Sequence, residues 1–301
     1  MSVRYSSFSG LEVYFWMVNT ERVVTETIDS HHHLWRYSIE EFGWIDDAMG
    51  LLKRDFLPEN LVAAMGEASI DGTVAVQARQ TLEETHWLLD AADGCDAIRG
   101  VVGWAPIAGS DFAVVLEEIR SRKKLCGLRH VLQAEPDESY MLRPEFNAGI
   151  RMLRQYGLAY DILIYERQLP QAIEFVDRHP EQVFVLDHIA KPQIRDGVIG
   201  PWAERMCELG KRENVWCKVS GLVTEADWKL WTPESLKPYL DAVVEAFGPQ
   251  RLMVGSDWPV CLVASSYGRW FKVLNEYFAG FSIAERKAIF GKTAMHVYKL
   301  R

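Results

Sequence analysis

Eight short apolar runs, each followed by a segment of helical periodicity, constrain this chain more than any other feature. They occupy residues 23–28, 73–77, 100–104, 127–130, 159–164, 183–186, 215–219 and 252–255. Most are too uniformly apolar for strands with one wet face, so they fit a sheet covered on both sides. The segments between them read as amphipathic helices. Pro58 opens one whose Leu61, Ala64, Met65 and Ala68 share a side. Another starts at a cap, Ser110 or Asp111, and aligns Phe112, Val115, Leu116 and Ile119. A third ends at Pro180, and a fourth carries Leu236, Leu240, Val243 and Phe247 before stopping at Gly248-Pro249. Eight strand–helix units without a linker predict one (β/α)8 barrel, a TIM barrel, over residues 25–301. A doubly wound open sheet is the alternative, but no G-x-G-x-x-G follows any of the runs.

Residues 1–24 stand outside this pattern. The run LEVYFWMV (11–18) follows one basic residue, Arg4, as in a signal peptide, but Glu12 interrupts it and no A-x-A site follows. The expectation is an N-terminal extension, either a flanking strand or a segment upstream of a second start at Met17. A net charge of −9 argues against a nucleic-acid partner, whose binding surface would be basic. No apolar run reaches the ~18–20 residues of a membrane-spanning helix, so no membrane partner is expected. The five cysteines, Cys95, Cys126, Cys207, Cys217 and Cys261, are odd in number and lack C-x-x-C spacing. They fit free thiols in a reducing compartment, and a cytoplasmic monomer or homodimer is expected.

In such a barrel, reactive groups gather where strands end, at the C-terminal face. Strand 1 closes with IDSHHHLW (28–35). If the strand continues to His33, alternation turns His31 and His33 to one face and His32 to the other. The remaining strand ends offer Gln77, Trp104, Arg129, Tyr160 with Asp161, Asp187 with His188, Lys218, and Asp257 with Trp258. Glu166 and Lys191 lie in the following loops. Each has a simpler reading. The two histidines would steady a turn, Arg129 and Lys218 would form structural ion pairs, and the tryptophans would only pack. Asp29 reads as a turn residue or as a partner orienting a histidine. Polar groups at the same end of all eight strands favour a reaction site.

These residues resemble a known family. Asp-x-His-x-His closing strand 1, a histidine closing strand 6 (VLDHIAKP) and an aspartate closing strand 8 (MVGSDWP) are similar to the amidohydrolase superfamily. VQAR, GLRH, YERQLP, CKVSGLVTEADW and PQRLMVGSDWPVCL resemble its sugar-lactonase branch, and more distantly the 2-pyrone-4,6-dicarboxylate lactonases. The likeness runs from about Thr27 to about Tyr298. It implies an enzyme that opens a sugar lactone, L-fucono-lactone or a similar aldonolactone. It also implies that no metal is required. Much of the superfamily holds two metals with a strand-4 bridge and a strand-5 histidine. Here strand 4 ends in Arg129-His130 and strand 5 offers Tyr160 and Asp161, so a binuclear centre is not expected. One Zn²⁺ held by His31, His33, His188 and Asp257 is the alternative, since these are ordinary zinc ligands.

The expected chemistry follows. Asp257 takes the proton from attacking water, with its pKa raised by burial. His31, His33 and His188 face the carbonyl oxygen, at least one of them protonated. Arg129, Gln77, Tyr160, Asp161, Glu166 and Lys218 supply polar contacts to the ring, and Trp35, Trp104 and Trp258 an aromatic wall. The loop SGLVTEADW has no arginine, which disfavours a dicarboxylate substrate. The competing activity is that of a mononuclear zinc decarboxylase or hydratase.

Overall fold

The computed structural model describes residues 26–301. The expected extension, residues 1–24, lies outside the described residues. Eight parallel strands run in the order of the sequence: β1 (Ile28–His32), β2 (Gly72–Val76), β3 (Ile98–Gly103), β4 (Leu125–His130), β5 (Ala159–Ile162), β6 (Phe184–Leu186), β7 (Val215–Val219) and β8 (Leu252–Val254). The ends of the sheet meet just beyond β8, where His33 N–H donates to Trp258 O (2.6 Å) and Asp257 N–H to His31 O (2.8 Å). The fold is a nearly closed (β/α)8 barrel. Helices fill the crossovers: α1 (Pro58–Met65), α2 (Leu82–Asp93), α3 (Phe112–Ile119), α4 (Pro144–Tyr156), α5 (Leu169–Asp177), α6 (Trp202–Gly210), then a short α7 (Leu222–Glu225), α8 (Pro233–Phe247) and α9 (Tyr267–Tyr277). Thr81 caps α2 and Thr232 caps α8 by accepting an N–H three residues on.

Alternation along the strands sorts residues between two cores. Tyr160 and Ile162, Phe184 and Leu186, Cys217 and Val219, and Leu252 and Val254 face the helices. Val74 and Val76, Ala159, Val185 and Met253 face inward, where Val297 and Tyr298 from the C-terminal segment close the barrel floor. Above this apolar floor the inward positions become charged: Asp161, Lys218 and Asp187 are all fully buried. Aliphatic side chains usually fill the interior of such a barrel. The substitution of charge for hydrocarbon there marks where the site begins.

Candidate active site

The histidines separate as alternation requires. His31 and His33 bring their Nε2 atoms to 3.2 Å, while His32 turns away, and burial holds its pKa at about 3. Asp29 orients no imidazole. Its carboxylate accepts the backbone N–H groups of His31 (3.1 Å) and Ser256 (2.8 Å) and the hydroxyls of Ser256 (2.6 Å) and Tyr267 (2.9 Å), tying β1 to the loop after β8.

Asp257 stands in that loop in the left-handed region (φ 57°). Its Oδ1 lies 3.3 Å from His33 Nε2 and 3.9 Å from the Nε2 atoms of both His31 and His188. One carboxylate oxygen thus faces three imidazoles. The expected upward shift of Asp257 is not found. Burial would raise its pKa, but His188 and His33 outweigh burial and hold it below the ordinary 3.8. Burial lowers His188 to about 4 against the pull of Asp257 and Asp187. Burial and the Lys218 ammonium hold His31 well below 6.5. Asp257 is therefore ionised, and His31 and His188 are neutral rather than protonated at neutral pH.

His188 reaches this position through an unusual backbone. His188, Ile189, Ala190 and Lys191, none of them glycine, all have φ between 47° and 59°. Left-handed backbone costs L-residues roughly 1–2 kcal/mol each, and such strain concentrates at functional sites. Gly221, itself at φ 73°, clears the space: a Cβ there would lie 2.7 Å from His188 Cβ and Nδ1. Ser220 Oγ holds His188 Nδ1 at 2.9 Å.

Beneath the histidines lies a closed charge network. Lys218 Nζ donates to Asp161 (2.5 Å), lies 3.0 Å from Asp187 and approaches His31 Nδ1 at 3.1 Å. With Lys218 as the donor, His31 Nδ1 accepts and its Nε2 carries the proton, facing His33 Nε2 at 3.2 Å; Asp187 Oδ1, 3.4 Å from the same Nδ1, makes no hydrogen bond among the described residues. Arg129 donates to Asp187 (2.8 Å) and to Gln77 O, and its Nη1 lies 3.4 Å from His31 Nε2. Burial alone would raise Asp187, but Lys218, His31 and Arg129 hold its pKa well below 3.8. Two cations and two carboxylates balance.

Above the network opens a cleft of about 500 Å³. Of the residues expected to touch substrate, only Arg129 joins His33, His188 and Asp257 in lining it. Lys218 and Asp161 are fully buried in the network below, and Gln77 is buried with Nε2 3.4 Å from Arg129 O and its Oε1 without a hydrogen bond among the described residues. Tyr160 is a correction: it faces outward among Phe146, Phe175 and Phe184. Neighbours on a strand face opposite ways, so Tyr160 and Asp161 cannot share a site. Trp35 and Trp258 both pack against Phe56, and Trp104 Nε1 pairs with His130 (3.3 Å). Glu166 lies outside the cleft, bonded to Gln193 (2.8 Å). The aromatic wall is instead Trp44, Tyr165 and Trp228, with Lys191 and Glu225 as added charges. Their sequence signal is only that of aromatic and charged residues in βα loops.

The donor set was tested for a metal. Ligand atoms around one tetrahedral zinc, at bonds of about 2.0–2.1 Å, stand about 3.3 Å apart. The separations of 3.2, 3.3 and 3.9 Å among His31, His33 and Asp257 fit three positions of one such ion after small adjustments, while His188 groups instead with His31 and Asp187.

Residues 28–300 match the family model described as amidohydrolase. The chain belongs to the amidohydrolase family. It is 41% identical over 286 residues to the L-fucono-1,5-lactonase of Burkholderia multivorans, covering 91% of this chain and 96% of that one. The L-fucono-1,5-lactonase of Burkholderia ambifaria is 34% identical, with 92% and 97% covered. A solved Burkholderia multivorans amidohydrolase with bound zinc is 40% identical, has a TM-score of 0.89, and is matched over 92% of this chain and all of that one. Within the amidohydrolase family, these relatives share the whole barrel rather than a fragment.

Proposed function

We propose that this amidohydrolase hydrolyses a sugar lactone, L-fucono-1,5-lactone or a similar aldonolactone, to the aldonic acid. The observation that carries the reading is an ionised carboxylate facing three imidazoles, with a guanidinium lining the same aromatic-walled cleft. Asp257 accepts a proton as water oxygen bonds to the lactone carbonyl carbon. The carbonyl electron pair moves onto oxygen, which accepts a hydrogen bond from the cleft-lining Arg129. One preorganised donor of this kind contributes about 2.7–4 kcal/mol. The intermediate then collapses, the ring C–O bond breaks, and the proton held by Asp257 passes to the departing alkoxide. The whole-length likeness to two L-fucono-1,5-lactonases supports the substrate class.

A zinc ion held by His31, His33 and Asp257 would supply Lewis-acid polarisation of the carbonyl. We infer that it is not required. Lys218 fills the hydrogen-bonding role at His31 Nδ1, whereas a ligating Nε2 would need its proton there. Free, mostly buried cysteines support a cytoplasmic location.

The test is a hydrolysis screen read by acid release. L-Fucono-, L-galactono- and D-arabinono-lactones should open much faster than 2-pyrone-4,6-dicarboxylate. Equal or faster opening of the pyrone overturns the assignment. A zinc-dependent decarboxylase or hydratase is the second reading, favoured only by the ligand spacing. Carbon dioxide release dependent on added zinc would establish it.

A further inference from the structure

We propose that Lys191 and Glu225 form the subsite that selects the lactone by its ring hydroxyls, a role that rests on the lactonase reading. The two side chains line the cleft together with Asp257 and His188. Lys191 Nζ stands 3.6 Å from Glu225 Oε1, close enough for attraction and too far for a hydrogen bond. Their side chains are only 18% and 25% exposed. Neither charged head makes a hydrogen bond among the described residues. Lys191 Nζ also stands 5.7 Å from the Tyr165 ring, and the ammonium protons and carboxylate lone pairs that this leaves at the cleft wall are open to water or to a ligand.

The backbone aims the pair. In a three-residue turn, side chains three apart eclipse. The left-handed turn therefore sets Lys191 on the same side as His188, with Lys191 N–H donating to His188 O at 2.8 Å, while Ile189 and Ala190 are fully buried. Glu225 ends α7, which follows directly on Gly221, the residue that makes room for His188. The two elements that seat the catalytic histidine thus also deliver the pair. An ammonium and a carboxylate at this separation match two neighbouring hydroxyls, one accepting from nitrogen and the other donating to oxygen. A ring without hydroxyls gains nothing from them.

The test compares an aldonolactone with δ-valerolactone, a ring lacking hydroxyls, for wild type, Lys191→Met and Glu225→Gln. The loss in kcat/KM on the aldonolactone should exceed that on δ-valerolactone by about tenfold or more, chiefly through KM. Equal losses on both substrates, or none, overturn the proposal; equal losses in kcat would assign Lys191 to the chemistry itself. Circular dichroism and thermal melting identify a variant that misfolds, and Lys191→Gln then replaces Lys191→Met. A wild type that opens neither lactone defeats the lactonase reading. Binding of the aldonic acid, followed by tryptophan fluorescence, still decides the subsite. Affinity lowered by the substitutions supports it, and unchanged affinity rejects it.

Discussion

Asp257 must stay ionised in a dry site, and the side chains around it explain how it does. His188, His33 and the Lys191 ammonium offset the burial that would otherwise raise its pKa. The sign of the pH dependence follows. A carboxylate held below its ordinary value remains a base at every higher pH, so activity is lost only as pH falls through that lowered value. The acid limb of kcat/KM should lie below pH about 4, and a limb well above that would rule out Asp257 as the base. Asp257→Asn keeps the shape and removes the acceptor, so kcat should drop about 10²–10⁴-fold with the fold intact. Steady-state kinetics beside a circular-dichroism spectrum check this, and near-full kcat in the variant would move the role elsewhere.

Two turns, rather than the strands themselves, set the element-scale geometry. The left-handed turn after β6 turns His188 into the cleft, and Gly221 after β7 accommodates its ring. Gly221→Ala forces a side chain into the left-handed region and sets a methyl group against His188. We expect a stability loss of about 1–3 kcal/mol together with a fall in kcat, because the clash is resolved only by moving His188. Urea unfolding and kinetics on the same preparation separate the two effects. Lost stability with unchanged kcat would show that the imidazole position is not critical.

Across the whole molecule, the barrel interior passes from an apolar floor through a neutral charge network to the reactive groups. Tyr298, near the C-terminus, is part of this column and donates to Asp161 at 2.8 Å. Lys218 and Arg129 place two positive charges against His31 before any ion binds. Asp161 and Asp187 balance those charges, and Lys218 occupies the nitrogen whose proton a ligating His31 Nε2 would need. Exhaustive chelation, with metal content near zero by elemental analysis, should leave lactonase activity in place. Activity lost on chelation and restored by stoichiometric Zn²⁺ would reverse this conclusion.

The sequence alone determined the barrel, because eight buried strands alternating with amphipathic helices have few other ways to bury their apolar faces. It also placed the candidate site, because His31, His33, His188 and Asp257 lie at or just beyond their strand ends and a two-residue repeat turns His31 and His33 to one face while His32 faces away. The same repeat, applied to strand 5, already separates Tyr160 from Asp161. Only the tertiary structure decided that Lys218 and Asp161 form an internal ion pair at 2.5 Å and that Asp257 is pulled down rather than up. Only it decided that Trp44, Tyr165 and Trp228, not Trp35, Trp104 and Trp258, wall the cleft. Local pattern fixes which way a strand residue points. Burial, charge balance and loop placement depend on neighbours distant in sequence, as between His31 and Lys218, which only the closed barrel brings into contact.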